Sequence, residues 1–145
     1  KYFSDYVRDK KGLLLDDLKE GRVNPANLLL NDILFNSVSF YDNYEAFYHG
    51  FMTGLFAGYS VESNMESGEG RFDIAVLSPN PFGTNVVIEC KKSKERKDLK
   101  TDSRNAAQQI IEKKYIEGLH ARGYDIVRGY GIAFYEKGCY ITAAE

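Results

Sequence analysis

Residues 85–93 read NVVIECKKS. Val86, Val87 and Ile88 make an apolar, β-branched run of the kind that forms a buried strand. Side chains alternate along a strand, so Glu89 and Lys91 leave on one side while Cys90 points the other way, into the core. The strand therefore ends with an acid and a base side by side on a single face.

Upstream, GRFDIAVLS at 70–78 alternates in the same fashion. Phe72, Ile74 and Val76 take one face; Arg71, Asp73 and Ala75 take the other. PNPFGT at 79–84 is a turn rich in Pro, Asn and Gly. An antiparallel hairpin centred near Pro81 sets Asp73 opposite Glu89, with Lys91 one step along the same side. Directly opposed residues have Cβ atoms about 5 Å apart. Two carboxylates at that separation repel by about 3 kcal/mol at an effective dielectric near 20. A shared proton, the lysine ammonium or a divalent cation must compensate. Mg²⁺ favours carboxylates, a carbonyl and water, and the Cys90 carbonyl between the two side chains is a natural further ligand. The alternative is a cross-strand ion pair of Glu89 with Lys91 or Arg71 on an ordinary wet sheet face.

Around this hairpin the chain alternates helix and strand. Residues 3–20 and 25–36 read as helices separated by Asn24-Pro25, a cap and first-turn proline. A third helix runs from about 44 to 58. It carries Gly50, Gly54 and Gly58 at every fourth position, a spacing that predicts close backbone packing against a neighbour. YSVES at 59–63 is a short strand. After the basic linker KKSKERKDLK at 91–100, a helix from about 102 to 122 stops at Gly123. The last strands form a hairpin turning at Lys137-Gly138. Helix, three strands, helix and two strands predict an α/β sandwich around a mixed sheet.

With 145 residues, 43% of them hydrophobic, the chain fits a single domain with a sizeable core. A formal net charge of −2 gives no support for a basic nucleic-acid coat, though it does not describe local patches. Cys90 and Cys139 lie far apart in no metal or redox spacing, so a disulfide framework is not expected and a reducing, cytoplasmic setting is. The apolar stretch at 46–60 is too short for a bilayer, which needs about 20 such residues, so no membrane partner is expected. The chain opens at Lys1 rather than Met and is expected to be part of something longer.

Taken in order, NYEAFYHGFMTGL, ESGEGRFDIAVL, VVIECKKS and AAQQIIEKKY, within roughly residues 43–135, resemble the PD-(D/E)XK nuclease superfamily. The likeness is greatest to the group found as C-terminal domains of bacterial AAA-ATPase-like proteins. That resemblance implies a restriction-endonuclease-like αβββαβ core at 39–145, with 1–38 as an N-terminal helical segment packed on it. It implies Mg²⁺ or Mn²⁺ held by Asp73 and Glu89, with Glu45 on the preceding helix completing the metal shell. Lys91 would orient or activate the attacking water, and Gln109 would contribute from the following helix. Branches with a Q-x-x-x-Y motif place Tyr four residues after Gln; here Lys113 takes that place and Tyr115 comes two residues later.

The implied activity is metal-dependent hydrolysis of phosphodiester bonds in DNA, with RNA as the other choice and an ATPase domain as a partner on the same chain. Arg71, Lys92, Lys94 and Lys113 are the candidate nucleic-acid contacts. The competing reading is an inactive nuclease-fold domain that binds nucleic acid or a partner domain. His49 follows Glu45 by one helical turn and reads as a packed or capping histidine rather than a ligand.

Overall fold

The computed structural model describes residues 5–37, 45–66 and 71–144, with the side chains of residues 5, 6, 45 and 66 outside the described set. The elements run α1 (Asp5–Glu20), α2 (Val23–Ser37), α3 (Glu45–Leu55), β1 (Ser60–Glu66), β2 (Arg71–Leu77) and β3 (Thr84–Lys92). A 3₁₀ turn at Arg96–Asp98 leads into α4 (Leu99–Glu112), followed by α5 (Tyr115–Ala121), β4 (Ile126–Tyr135) and β5 (Gly138–Ala143). The five strands form one sheet in sequence order. Each neighbouring pair is antiparallel except β3 with β4, which are parallel. A parallel pair needs a crossover, and α4 with α5 supplies it. This is the mixed α/β architecture expected from the sequence.

Alternation divides the sheet into two faces. Phe72, Ile74, Val86, Ile88, Cys90, Ile132 and Phe134 belong to the larger core, together with the apolar stripes of α1, α2 and α3. The opposite face carries a smaller core of Leu77, Val87, Ile110 and Leu119, built from β2, β3, α4 and α5. Two asparagines of α2 protect the outer edge of β5. The Cys139 N–H donates to Asn31 Oδ1 at 2.9 Å and the Ile141 N–H to Asn27 Oδ1 at 3.0 Å. Covering an open edge in this way removes a template for unwanted strand pairing.

The β2–β3 hairpin register is fixed at its turn. Buried Asn85 accepts from the Ser78 N–H at 2.7 Å and donates to the Ile126 carbonyl at 3.0 Å. Within the turn, Asn80 Oδ1 accepts from the Phe82 N–H at 2.9 Å. A one-residue slip would break these bonds and move every side chain to the other face.

Two expectations are corrected. The helix read as continuous from 102 to 122 is two helices, broken where Lys114 adopts left-handed dihedrals (φ 56°, ψ 40°). The close packing expected of the glycines at 50 and 58 is not seen. A Cβ at Gly50 would meet nothing within 4 Å, and the same holds for Gly58, which lies beyond the helix end at φ +97°. Gly58 instead supplies the positive φ of the turn in which the Tyr59 N–H donates to the Phe56 carbonyl at 3.1 Å, a conformation strained for other residues.

Candidate active site

Asp73 and Glu89 are direct partners in the β2–β3 ladder, and Arg71 pairs with Lys91 one step along. All four share the face that α4 and α5 cover. The sheet thus puts two acids and two cations in a single patch, in the register read from the hairpin. Glu89 is 1% exposed. A buried carboxylate is costly unless positive charge or hydrogen bonds balance it. Lys113 Nζ faces Glu89 Oε2 at 4.0 Å.

Asp73 is held from two sides. Asn64, its partner on β1, donates from Nδ2 to Oδ1 at 3.3 Å. Tyr115 donates its hydroxyl to Oδ2 at 2.9 Å. Both lone-pair edges of the carboxylate are therefore oriented before any ligand arrives. Neither contact was expected from the sequence. β1 was read as ending at 63, one residue short of Asn64. Tyr115 lies six residues after Gln109, a spacing that would carry it away from the face of Gln109 on an unbroken helix. The left-handed turn at Lys114 re-aims the chain and delivers Tyr115 to Asp73.

The remaining candidates separate clearly. Lys113 converges on the carboxylates, while the Gln109 amide runs along its own helix to Glu112 Oε1 at 3.5 Å. Lys92 has the parity of Cys90 and so lies on the sheet face opposite Asp73 and Glu89. Lys94 is exposed just past the end of β3. Glu45 begins α3, and its side chain lies outside the described residues. His49 sits at hydrogen-bond distance (3.2 Å) from Ser63 Oγ and edge-on to the Phe72 ring. This is a packed histidine.

Two facing carboxylates suit a small hard cation, which takes one or two carboxylates and keeps several waters. A soft thiolate site does not fit, because the Cys90 side chain lies in the core on the opposite face of the sheet. From that residue only the carbonyl can reach this face. Among the described residues no three His, Cys, Asp or Glu side chains cluster.

Beside Asp73 the surface opens into a cleft of about 320 Å³ between β1, β2 and α5. At its far end Arg122 grips Glu62 with both guanidinium nitrogens, at 2.9 and 2.7 Å. This bidentate pair ties α5 to the edge strand. No helix among the described residues is long and apolar enough to cross a membrane.

A family model, the PD-(D/E)XK nuclease superfamily, matches residues 43–144. No curated protein matches the chain, and no solved structure does.

Proposed function

We propose, from the premise that the chain belongs to the PD-(D/E)XK nuclease superfamily, that it hydrolyses phosphodiester bonds in DNA with Mg²⁺ or Mn²⁺. The observation that carries this reading is the ladder pairing of Asp73 with Glu89, with Lys91 on the same face. Asp73, Glu89 and the Cys90 carbonyl would hold the ion, and Glu45 is the further carboxylate proposed for its shell. When bound, such an ion stabilises charge on the phosphate oxygens and lowers the pKa of a bound water.

The chain's own residues have distinct roles in this proposal. Tyr115 and Asn64 fix the rotamer of Asp73, so the carboxylate needs little reorganisation to accept a cation. Lys113 sets a positive charge 4.0 Å from the buried Glu89 carboxylate. Lys91 places a positive charge where negative charge develops on the attacking oxygen and the phosphate. Arg71 and Lys94 offer further cations to the backbone, whereas Lys92 on the other face would meet only a strand that wraps the edge. Gln109 would assist from α4 after turning away from Glu112. The proposal includes an ATPase domain on the same longer chain and a cytoplasmic setting. It also takes 1–38 as a helical segment serving the domain at 39–145. The resemblance of the 43–135 motifs supports the first of these.

The test is cleavage of end-labelled DNA by the purified chain. Cutting that requires Mg²⁺ or Mn²⁺, stops with a chelator and leaves 5′-phosphate and 3′-hydroxyl ends is the expected result. Retained DNA binding with no cutting in either metal would instead identify an inactive nuclease-fold binding domain.

A further inference from the structure

The cleft beside Asp73 has a shape and lining that the carboxylate site does not explain. We infer that it is a subsite for one nucleotide next to the scissile phosphate, and that it favours single-stranded DNA or frayed ends over paired duplex. This rests on the nuclease reading for its link to cleavage, but the binding it requires does not.

Three observations carry the inference. The first is position. Asp73, Asn64 and Tyr115 all line the cleft, so an occupant touches the residues that orient the carboxylate. The second is size. About 320 Å³ is at the small end of the range for small-molecule sites and has room for a nucleotide, not for a base pair between two strands. A base could enter only after leaving its stack, which costs least in single strands and at loose ends.

The third is chemistry. Ala75 and the buried Val87 and Leu119 close the bottom of the cleft, and half-buried Tyr115 lines it as an aromatic contact for a base. The lining also includes the cations Lys113, Lys114 and Arg122 against the acids Glu62 and Asp73. Arg122 is half-exposed, and its planar fork is held in one orientation by Glu62. Its two terminal nitrogens already donate to Glu62, so the exposed Lys114 is the cation that a phosphate oxygen would meet. The bond to Glu62 raises the Arg122 pKa, and Arg122 lowers that of Glu62, so the pair stays charged.

Gly118 makes the inference testable without damage to the fold. It lines the cleft from α5, and a Cβ there would meet nothing within 4 Å. A larger side chain at 118 projects into the cleft instead of into protein, and replacing glycine within a helix favours the helix.

The experiment compares the wild-type chain with Gly118→Leu in two arms. In the first, deoxyadenosine 5′-monophosphate is titrated without metal and followed by NMR. Wild type is expected to bind, with shifts centred on α5 and β1, and Gly118→Leu to bind about tenfold more weakly or less. In the second, one oligonucleotide is offered single-stranded and as a duplex with Mn²⁺. Wild type is expected to prefer the single strand by about tenfold or more, and Gly118→Leu to lose most of that preference. An unchanged melting temperature verifies that the variant is folded. Equal nucleotide binding by a folded Gly118→Leu overturns the subsite. So does an unaltered strand preference. If neither protein cuts, the nuclease reading fails while the binding arm still decides the cleft.

Discussion

Asp73→Asn is expected to lower metal-dependent cleavage by about 10³-fold or more while leaving the folded state at least as stable as before. The size follows from loosening the proposed metal ion, which when bound contributes several kcal/mol to stabilising transition-state charge, each 1.36 kcal/mol being tenfold in rate. The change is nearly isosteric, and the side chain keeps polar atoms for Asn64 and Tyr115. The stability result has a different origin. With no cation bound, Asp73 opposes the buried Glu89 across the ladder. Removing one charge relieves a repulsion of about 3 kcal/mol at an effective dielectric near 20, part of which Lys113 already offsets. Function bought at the expense of stability is the usual signature of an active site. Rate assays on the two proteins, with thermal melts in chelator, measure both effects. A variant that melts well below wild type and still cuts would assign Asp73 a structural role.

Gly131→Ala is expected to lower stability by about 3 kcal/mol, a melting temperature lower by roughly 10 °C. Gly131 pairs with Glu89 across the parallel ladder, under α4. A Cβ there would lie 2.2 Å from the Ser103 carbonyl oxygen and 2.3 Å from the Ala107 nitrogen. Both are backbone atoms, so the helix itself must lift. Lifting α4 strains the bond between Ser103 Oγ and Thr142 Oγ1, now 2.7 Å, and draws Lys113 away from Glu89. Gly129→Ala is the internal control. Its nearest neighbours, the Ala144 and Ile110 side chains at 3.2 Å, can yield by a few tenths of an ångström. Thermal melts of the two variants should differ severalfold in effect. Equal melting temperatures for both would show that α4 does not depend on the glycine contact.

The hairpin was legible because three local signals agree: strict alternation in β2, an apolar run in β3 and a turn that leaves one register. The opposition of Asp73 and Glu89 follows from those signals alone. Lys92 was legible too, since its parity with Cys90 already assigns it to the other face. Tyr115 was not, because the break before it is made by a lysine in the left-handed region, where glycine or asparagine would have given warning. Asn64 was hidden by a polar strand whose length no hydrophobic pattern defines. Gly50 and Gly58 misled because a four-residue spacing looks the same whether the face packs or meets solvent. Only neighbouring elements distinguish the two.

The central claim is that Asp73 and Glu89 hold a divalent cation. Crystals soaked in Mn²⁺, with diffraction recorded at a wavelength where manganese scatters anomalously, test it most directly. The account predicts one strong anomalous peak within about 2.0–2.3 Å of an oxygen from each carboxylate. A map with no peak between them, from protein whose carboxylates are well ordered, would contradict it.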